Sequence, residues 1–217
     1  MAPTLSFCAQ STRLGILVNP IAGMGGRVGL HGTDGPALDQ ARELGAGPVS
    51  PLRAGRTLTR LRRALAVTGE DGTPSVTLLA PAGPMGGALL DELGWPYQPL
   101  AAPPPGRTSA ADTRHLVRAM VEQGVTLLLF AGGDGTARDV AAGLAEAEGR
   151  PVTVTVLGVP AGVKMHSSVF ALTPEAAADI AAAYLADPDR VGRREAGMGG
   201  DHETRLGAAG WSLSSGR

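Results

Sequence analysis

Residues 127–140 read LLLFAGGDGTARDV. Leu127, Leu128, Leu129 and Phe130 carry no polar interruption, which is the pattern of a strand buried on both faces. The run then breaks into Gly132-Gly133-Asp134-Gly135-Thr136. Glycines there let the backbone turn sharply and approach a ligand closely, because no Cβ intervenes. Thr136 is placed to cap a following helix, whose first turn offers free N–H groups to phosphate. Asp134 is the one carboxylate inside the turn, suited to act on a hydroxyl or a metal ion. Strand, glycine turn, acid and helix, in that order, point to phosphate chemistry. The plain alternative is a turn aspartate bonding its own backbone, which is common in glycine-rich turns.

Working outward, LGILVN (14–19) is a short apolar run and the expected first strand, ending in Asn19-Pro20 and the glycine-rich IAGMGGRVGLHGTDG. Helical spacing covers 36–45 and 55–67; in the second, Leu58, Leu61 and Leu65 share a face, with Arg56, Arg60 and Arg63 largely opposite. SVTLLA (75–80) is a second buried strand, followed by a glycine turn and a short helix ending near Gly94. Trp95 to Leu100 is expected as a third strand. Ser109 and Asp112 have the spacing of a capping box opening a helix that stops at Gly124. Leu116, Val117, Met120 and Val121 on it read as core. VTVTVLGVP (152–160) is a β-branched strand, and 173–186 a helix with Thr173 as cap and Pro174 at its first position. Strands alternating with helices imply an α/β, doubly wound, mostly parallel sheet. Ligands sit at the carboxyl ends of such strands.

The expected organisation is an α/β domain over 12–190 and a disordered tail over 191–217, since the latter is rich in Gly, Arg and Ser and shows no period. Hydrophobic residues make up 43% of the 217 but aromatics only 3%, so small aliphatic residues must fill the core. With 19 Lys and Arg against 20 Asp and Glu, nothing in the overall charge calls for nucleic acid as a partner. The single Cys8 excludes an internal disulfide and gives no metal-ligand spacing. No apolar run is long enough for a membrane span and no secretory signal is evident, so the expected location is the cytoplasm.

Further candidates lie in the other turns. Gly23, Gly25, Gly26 and Gly29, beside Asn19-Pro20, can cradle phosphate through backbone N–H groups. They form neither a G-x-x-x-x-G-K-[ST] loop nor a clean G-x-G-x-x-G fingerprint, and a surface loop is the bland reading. In GVPAGVKMHSS, Gly162, Lys164 and Ser167 follow a strand; Lys164 can offset phosphate charge and the serines can donate to it. His166 ranks below Lys164. Asp34 suits a ribose contact or a simple turn, and Asp139 is a helix acid that can orient Arg138, help hold a metal, or face solvent.

Together, VNPIAGMGGRVGLHGTDG, TSAADT, FAGGDGTARDV and GVPAGVKMHS resemble the ATP–NAD kinase family, within it the bacterial and archaeal branch described as NAD kinase or acetoin-catabolism-X-like. The wider superfamily includes diacylglycerol and sphingosine kinases, which share the glycine–aspartate–glycine turn. The resemblance covers roughly residues 13 to 186. It implies ATP, or polyphosphate, as donor, Mg²⁺ or another divalent cation, and phosphorylation of the 2′-hydroxyl of NAD to NADP. On it Asp134 corresponds to the catalytic aspartate, and Gly132, Gly133, Gly135 and Thr136 line the nucleotide phosphates. Family members form homo-oligomers and continue into a C-terminal β-rich domain that supplies much of the dinucleotide pocket. Here the match is expected to stop near residue 195, as in a truncated or frame-shifted chain. The candidate nucleotide-binding set is therefore Asn19, Gly25, Gly26, Asp34, Gly132, Gly133, Gly135, Thr136, Gly162, Lys164 and Ser167, around a catalytic Asp134. The alternatives are a nucleotide-binding remnant without catalysis and a kinase of a lipid or small alcohol.

Overall fold

Five parallel strands carry the molecule: β1 (Arg13–Val18), β2 (Thr77–Pro81), β3 (Gln98–Leu100), β4 (Leu127–Gly132) and β5 (Thr155–Pro160), in the order β3-β2-β1-β4-β5. This computed structural model describes residues 12–29, 36–67, 76–102, 108–147, 153–162, 165–189, 191–192, 195–197 and 205–209. Cys8, His31, Asp34 and Lys164 lie outside the described residues. The helices are α1 (Pro36–Glu43), α2 (Ser50–Val67), α3 (Gly87–Glu92), α4 (Ala110–Glu122), α5 (Asp134–Ala145) and α6 (Pro174–Ala186), with a 3-10 turn over Gly25–Val28. The chain is thus an α/β fold on an all-parallel sheet.

Side-chain alternation along the buried strands divides the core in two. Leu14, Ile16, Leu127, Leu129, Leu157 and Val159 face α2 and α6, meeting Leu58, Leu61, Ala177, Ala178 and Ala181. Leu17, Leu128, Phe130 and Val156 face the other way, onto Leu116, Val117, Met120, Ala137 and Val140 of α4 and α5. Every residue of β4 and β5 is buried, which explains the unbroken apolar run of β4 and the largely apolar run of β5, whose buried Thr155 donates to the Tyr184 hydroxyl. Small residues do the close packing, as the scarcity of aromatics requires. Gly143 lets α5 cross α4 at a point where a Cβ would fall 2.9 Å from the Arg114 carbonyl oxygen and from Val117 Cβ. Gly158 leaves room for Phe170, whose ring meets Phe130 edge-on at 5.3 Å.

Local signals act as their chemistry dictates. Ser109 Oγ accepts from Asp112 N while Asp112 accepts from Ser109 N, so the capping box closes, worth about 1 kcal/mol. Thr173 Oγ1 accepts from Ala176 N ahead of Pro174. The ion pairs Arg56–Glu175 and Arg60–Asp179 link α2 to α6 at side chains 38–64% exposed. Such pairs contribute about 0–1 kcal/mol each, so the buried Leu and Ala seam, not charge, holds these helices together.

Several elements differ from the sequence reading. α2 begins at Ser50 rather than 55, because Pro51 sits in the first turn, where its missing N–H goes unneeded. The third strand contracts to Gln98–Leu100, which pairs with β2 at the end of the sheet. The strand expected over 152–160 starts at Thr155, where pairing to Leu127 begins. Within 191–217, β6 (Glu195–Gly197) and β7 (Arg205–Ala209) pair antiparallel with a register shift. Their sequences, EAG and RLGAA, are too short and too irregular to carry the period-2 alternation that marks a strand.

Candidate active site

The strand order creates the site. The chain lays β1, β2 and β3 side by side in one direction, then returns to place β4 on the other flank of β1. Crossovers on either side of β1 leave a crevice between the carboxyl ends of β1 and β4, where open parallel sheets bind ligands. Residue 19 and residues 132–136 stand at that crevice, since Val18 pairs with Ala131 and Asn19 N donates to Ala131 O at 2.9 Å.

Asn19 joins the two turns. Its Oδ1 accepts from Ile21 N at 3.2 Å, and its Nδ2 donates to Thr136 Oγ1 at 2.9 Å. The hydroxyl expected to cap α5 is therefore used elsewhere: Gly133 occupies the N-cap with no side-chain bond, and Thr136 lies inside the helix, 4% exposed. Gly132 is required by this arrangement, because a Cβ on it would fall 2.5 Å from Thr136 Cβ and Oγ1. Gly133 and Gly135 differ. Neither has a positive φ, and a Cβ on either would meet nothing within 4 Å. Glycine in a helical turn costs roughly 0.5–1 kcal/mol relative to alanine, and packing among the described residues gives no reason for Gly135. The open space over the start of α5 is the kind of space that an approaching phosphate uses.

Asp134 is half-buried at the first position of α5. Its Oδ2 accepts from His166 N at 2.9 Å and its Oδ1 from Ser167 N at 3.0 Å. Burial pushes the carboxyl up, but the amides of His166 and Ser167, the Ser167 hydroxyl and the nearby imidazole together outweigh it. The net result is a carboxyl below the ordinary value of 3.8. Asp134 is ionised at neutral pH and bonds neighbouring backbone, though across 32 and 33 residues rather than within its own turn. Ser167 is buried, while Ser168 and His166 are exposed.

The turn after β5 completes the cluster. Ala161 N donates to Gly132 O at 2.9 Å, and half-buried Gly162 follows. Gly23, with φ 82°, presses onto the Ala161 carbonyl; a Cβ there would drive into that oxygen and lie 3.0 Å from Val49 Cβ. Arg53, on the first turn of α2, donates from Nη1 to Pro160 O at 2.7 Å. The structure thus brings together Asn19, Gly132, Gly133, Asp134, Gly135, Thr136, Gly162 and Ser167. Gly25 and Gly26 fall in the 3-10 turn, flanked by Met24 and Val28 of a separate small cluster with Ala41. Sequence reasoning missed Arg53, which no pattern distinguishes from the other arginines of α2, and the role of Gly23 as a packing contact.

Among the described residues, no group of three or more His, Cys, Asp or Glu is placed to hold a metal ion, and no helix is long and apolar enough to cross a membrane. A family model described as the ATP-NAD kinase N-terminal domain matches residues 14–189. The chain belongs to that family, which is one of kinases. Neither the curated proteins nor the solved structures gave a match.

Proposed function

We propose that this domain binds ATP at the carboxyl edge of its sheet and serves transfer of the γ-phosphoryl group to the 2′-hydroxyl of NAD. The observation that carries this reading is the placement of Asp134 at the β1–β4 crevice, between two glycines whose missing side chains leave open space over the α5 N-terminus. The reaction forms a bond from the acceptor oxygen to the γ-phosphorus, breaks the bond to the β-phosphate oxygen, and releases ADP. The hydroxyl proton passes to Asp134. A carboxylate with a lowered pKa is a weak base, so Asp134 acts chiefly by orienting the hydroxyl and takes the proton late. That suits a loose transition state, in which positioning and charge stabilisation supply most of the catalysis. The described residues offer no protein-built metal cage; Mg²⁺ typically binds through phosphate oxygens and few carboxylates, and carried in on the triphosphate it would neutralise phosphate charge.

The test is NADP formation from ATP and NAD by the wild type and by Asp134→Asn, with thermal stability measured beside it. Loss of turnover with ATP binding retained supports the reading. Turnover unchanged in the variant overturns it.

One observation favours a second reading, a nucleotide-binding domain without catalysis: both Asp134 oxygens already accept backbone amides. Under that reading the wild type is stabilised by ATP or NAD in thermal unfolding, yet forms no NADP.

A further inference from the structure

We propose that Arg53 is the cationic anchor for nucleotide phosphate at this sheet edge, an inference that rests on the ATP-binding reading above. Arg53 stands on the first turn of α2 and is half-buried. Its Nη1 donates to Pro160 O at 2.7 Å. Pro160 is the last residue of β5 and pairs in register with Gly132, and Ala161 N donates to Gly132 O. The guanidinium is therefore tied to the strand-end pair that sets the level of the Gly132–Gly133–Asp134 turn. Gly23 closes on Ala161 and Val49 from the β1 side. The turns after β1, β4 and β5 and the first turn of α2 all meet around Pro160 and Ala161, and Arg53 brings a positive charge to that meeting point.

Its setting differs from that of the other arginines of α2. Arg56 pairs with Glu175, Arg60 with Asp179, and Arg62 donates to Leu93 O; these three and Arg63 are exposed, whereas Arg53 is half-buried. Arg53 has no carboxylate partner among the described residues, only the Pro160 carbonyl. A guanidinium carries five N–H donors in a planar fork, so most of it is available to an anion. Half-burial makes an uncompensated charge more costly than at the surface, and a phosphate would relieve that cost through paired, charge-assisted bonds. The same turn holds Ser50, whose buried Oγ has no hydrogen-bond partner among the described residues, a state that most buried hydroxyls avoid.

The experiment is calorimetric binding of ATP, inorganic tripolyphosphate and adenosine to the wild type, Arg53→Lys and Arg53→Met, with the unfolding midpoint of each ligand-free protein. In Arg53→Met, ATP and tripolyphosphate should bind about tenfold to a hundredfold more weakly, while adenosine binding stays unchanged; Arg53→Lys, which keeps the charge without the fork, should fall between. Wild-type affinity for both phosphates in Arg53→Met overturns the proposal. So does an equal loss of adenosine and phosphate binding, which marks Arg53 as a strut between α2 and β5. If Arg53→Met does not fold, Arg53→Lys with wild-type tripolyphosphate affinity overturns it. If the wild type binds no ATP, the functional reading fails, and Arg53 as an anion site then stands or falls on tripolyphosphate alone.

Discussion

Asn19 and Thr136, 117 residues apart in sequence, meet through a 2.9 Å hydrogen bond from Nδ2 to Oγ1. The bond ties the turn leaving β1 to the first turn of α5, on which Asp134 stands. Because Asn19 Oδ1 is also occupied, by Ile21 N, the side chain works as a brace, and its contribution to ligand binding comes through position.

The brace predicts energetic coupling. Asn19→Ala and Thr136→Val should each destabilise by about 1 kcal/mol, with a coupling of about 0.5–1.5 kcal/mol in the double variant. Urea unfolding of the four proteins measures this, and strictly additive effects would refute the brace.

Gly135→Ala should trade function for stability. The new methyl meets no atom of the described residues, so the ligand-free protein should gain roughly 0.5–1 kcal/mol, while ATP affinity falls because the methyl occupies the phosphate's approach. Equal ATP binding in the two proteins would show that the space over α5 is not the phosphate site.

Gly23→Ala should act in the opposite direction. Its φ of 82° and its contact with the Ala161 carbonyl leave no strain-free place for a Cβ, and the cost should be at least about 1–3 kcal/mol. A melting temperature within a degree of wild type would show that the two turns do not pack in solution as they do here.

The lowered carboxyl of Asp134 sets a pH dependence. Its ionised form is favoured by folding, so its contribution to stability is present above 3.8, the ordinary value, and is lost as pH falls through the lower folded value. The stability difference between wild type and Asp134→Asn should therefore be full at neutral pH and shrink only below that point. The same sign places the acid limb of any Asp134-dependent activity below the usual aspartate range. A stability difference that fades between pH 7 and 5 would contradict the hydrogen bonding seen here.

Much of this was legible in the chain itself. Apolar or β-branched runs announced β1, β2, β4 and β5, because a strand covered on both faces holds few polar residues. Capping chemistry fixed the starts of α4 and α6, since the partners lie within three residues of each other. Asp134 was legible for the same reason: strand, turn and helix are contiguous around it. The amides of His166 and Ser167 that hold its carboxylate, the hydroxyl of Thr136 that turns from capping to bracing, and the guanidinium of Arg53 on Pro160 O were not. Each depends on which strand lies beside which, and the order β3-β2-β1-β4-β5 arises from packing helices on both faces of one sheet. Local hydrogen bonding and hydrophobic periodicity are written in consecutive residues; contacts across 30 to 120 positions exist only once the core has closed and brought the strand ends together.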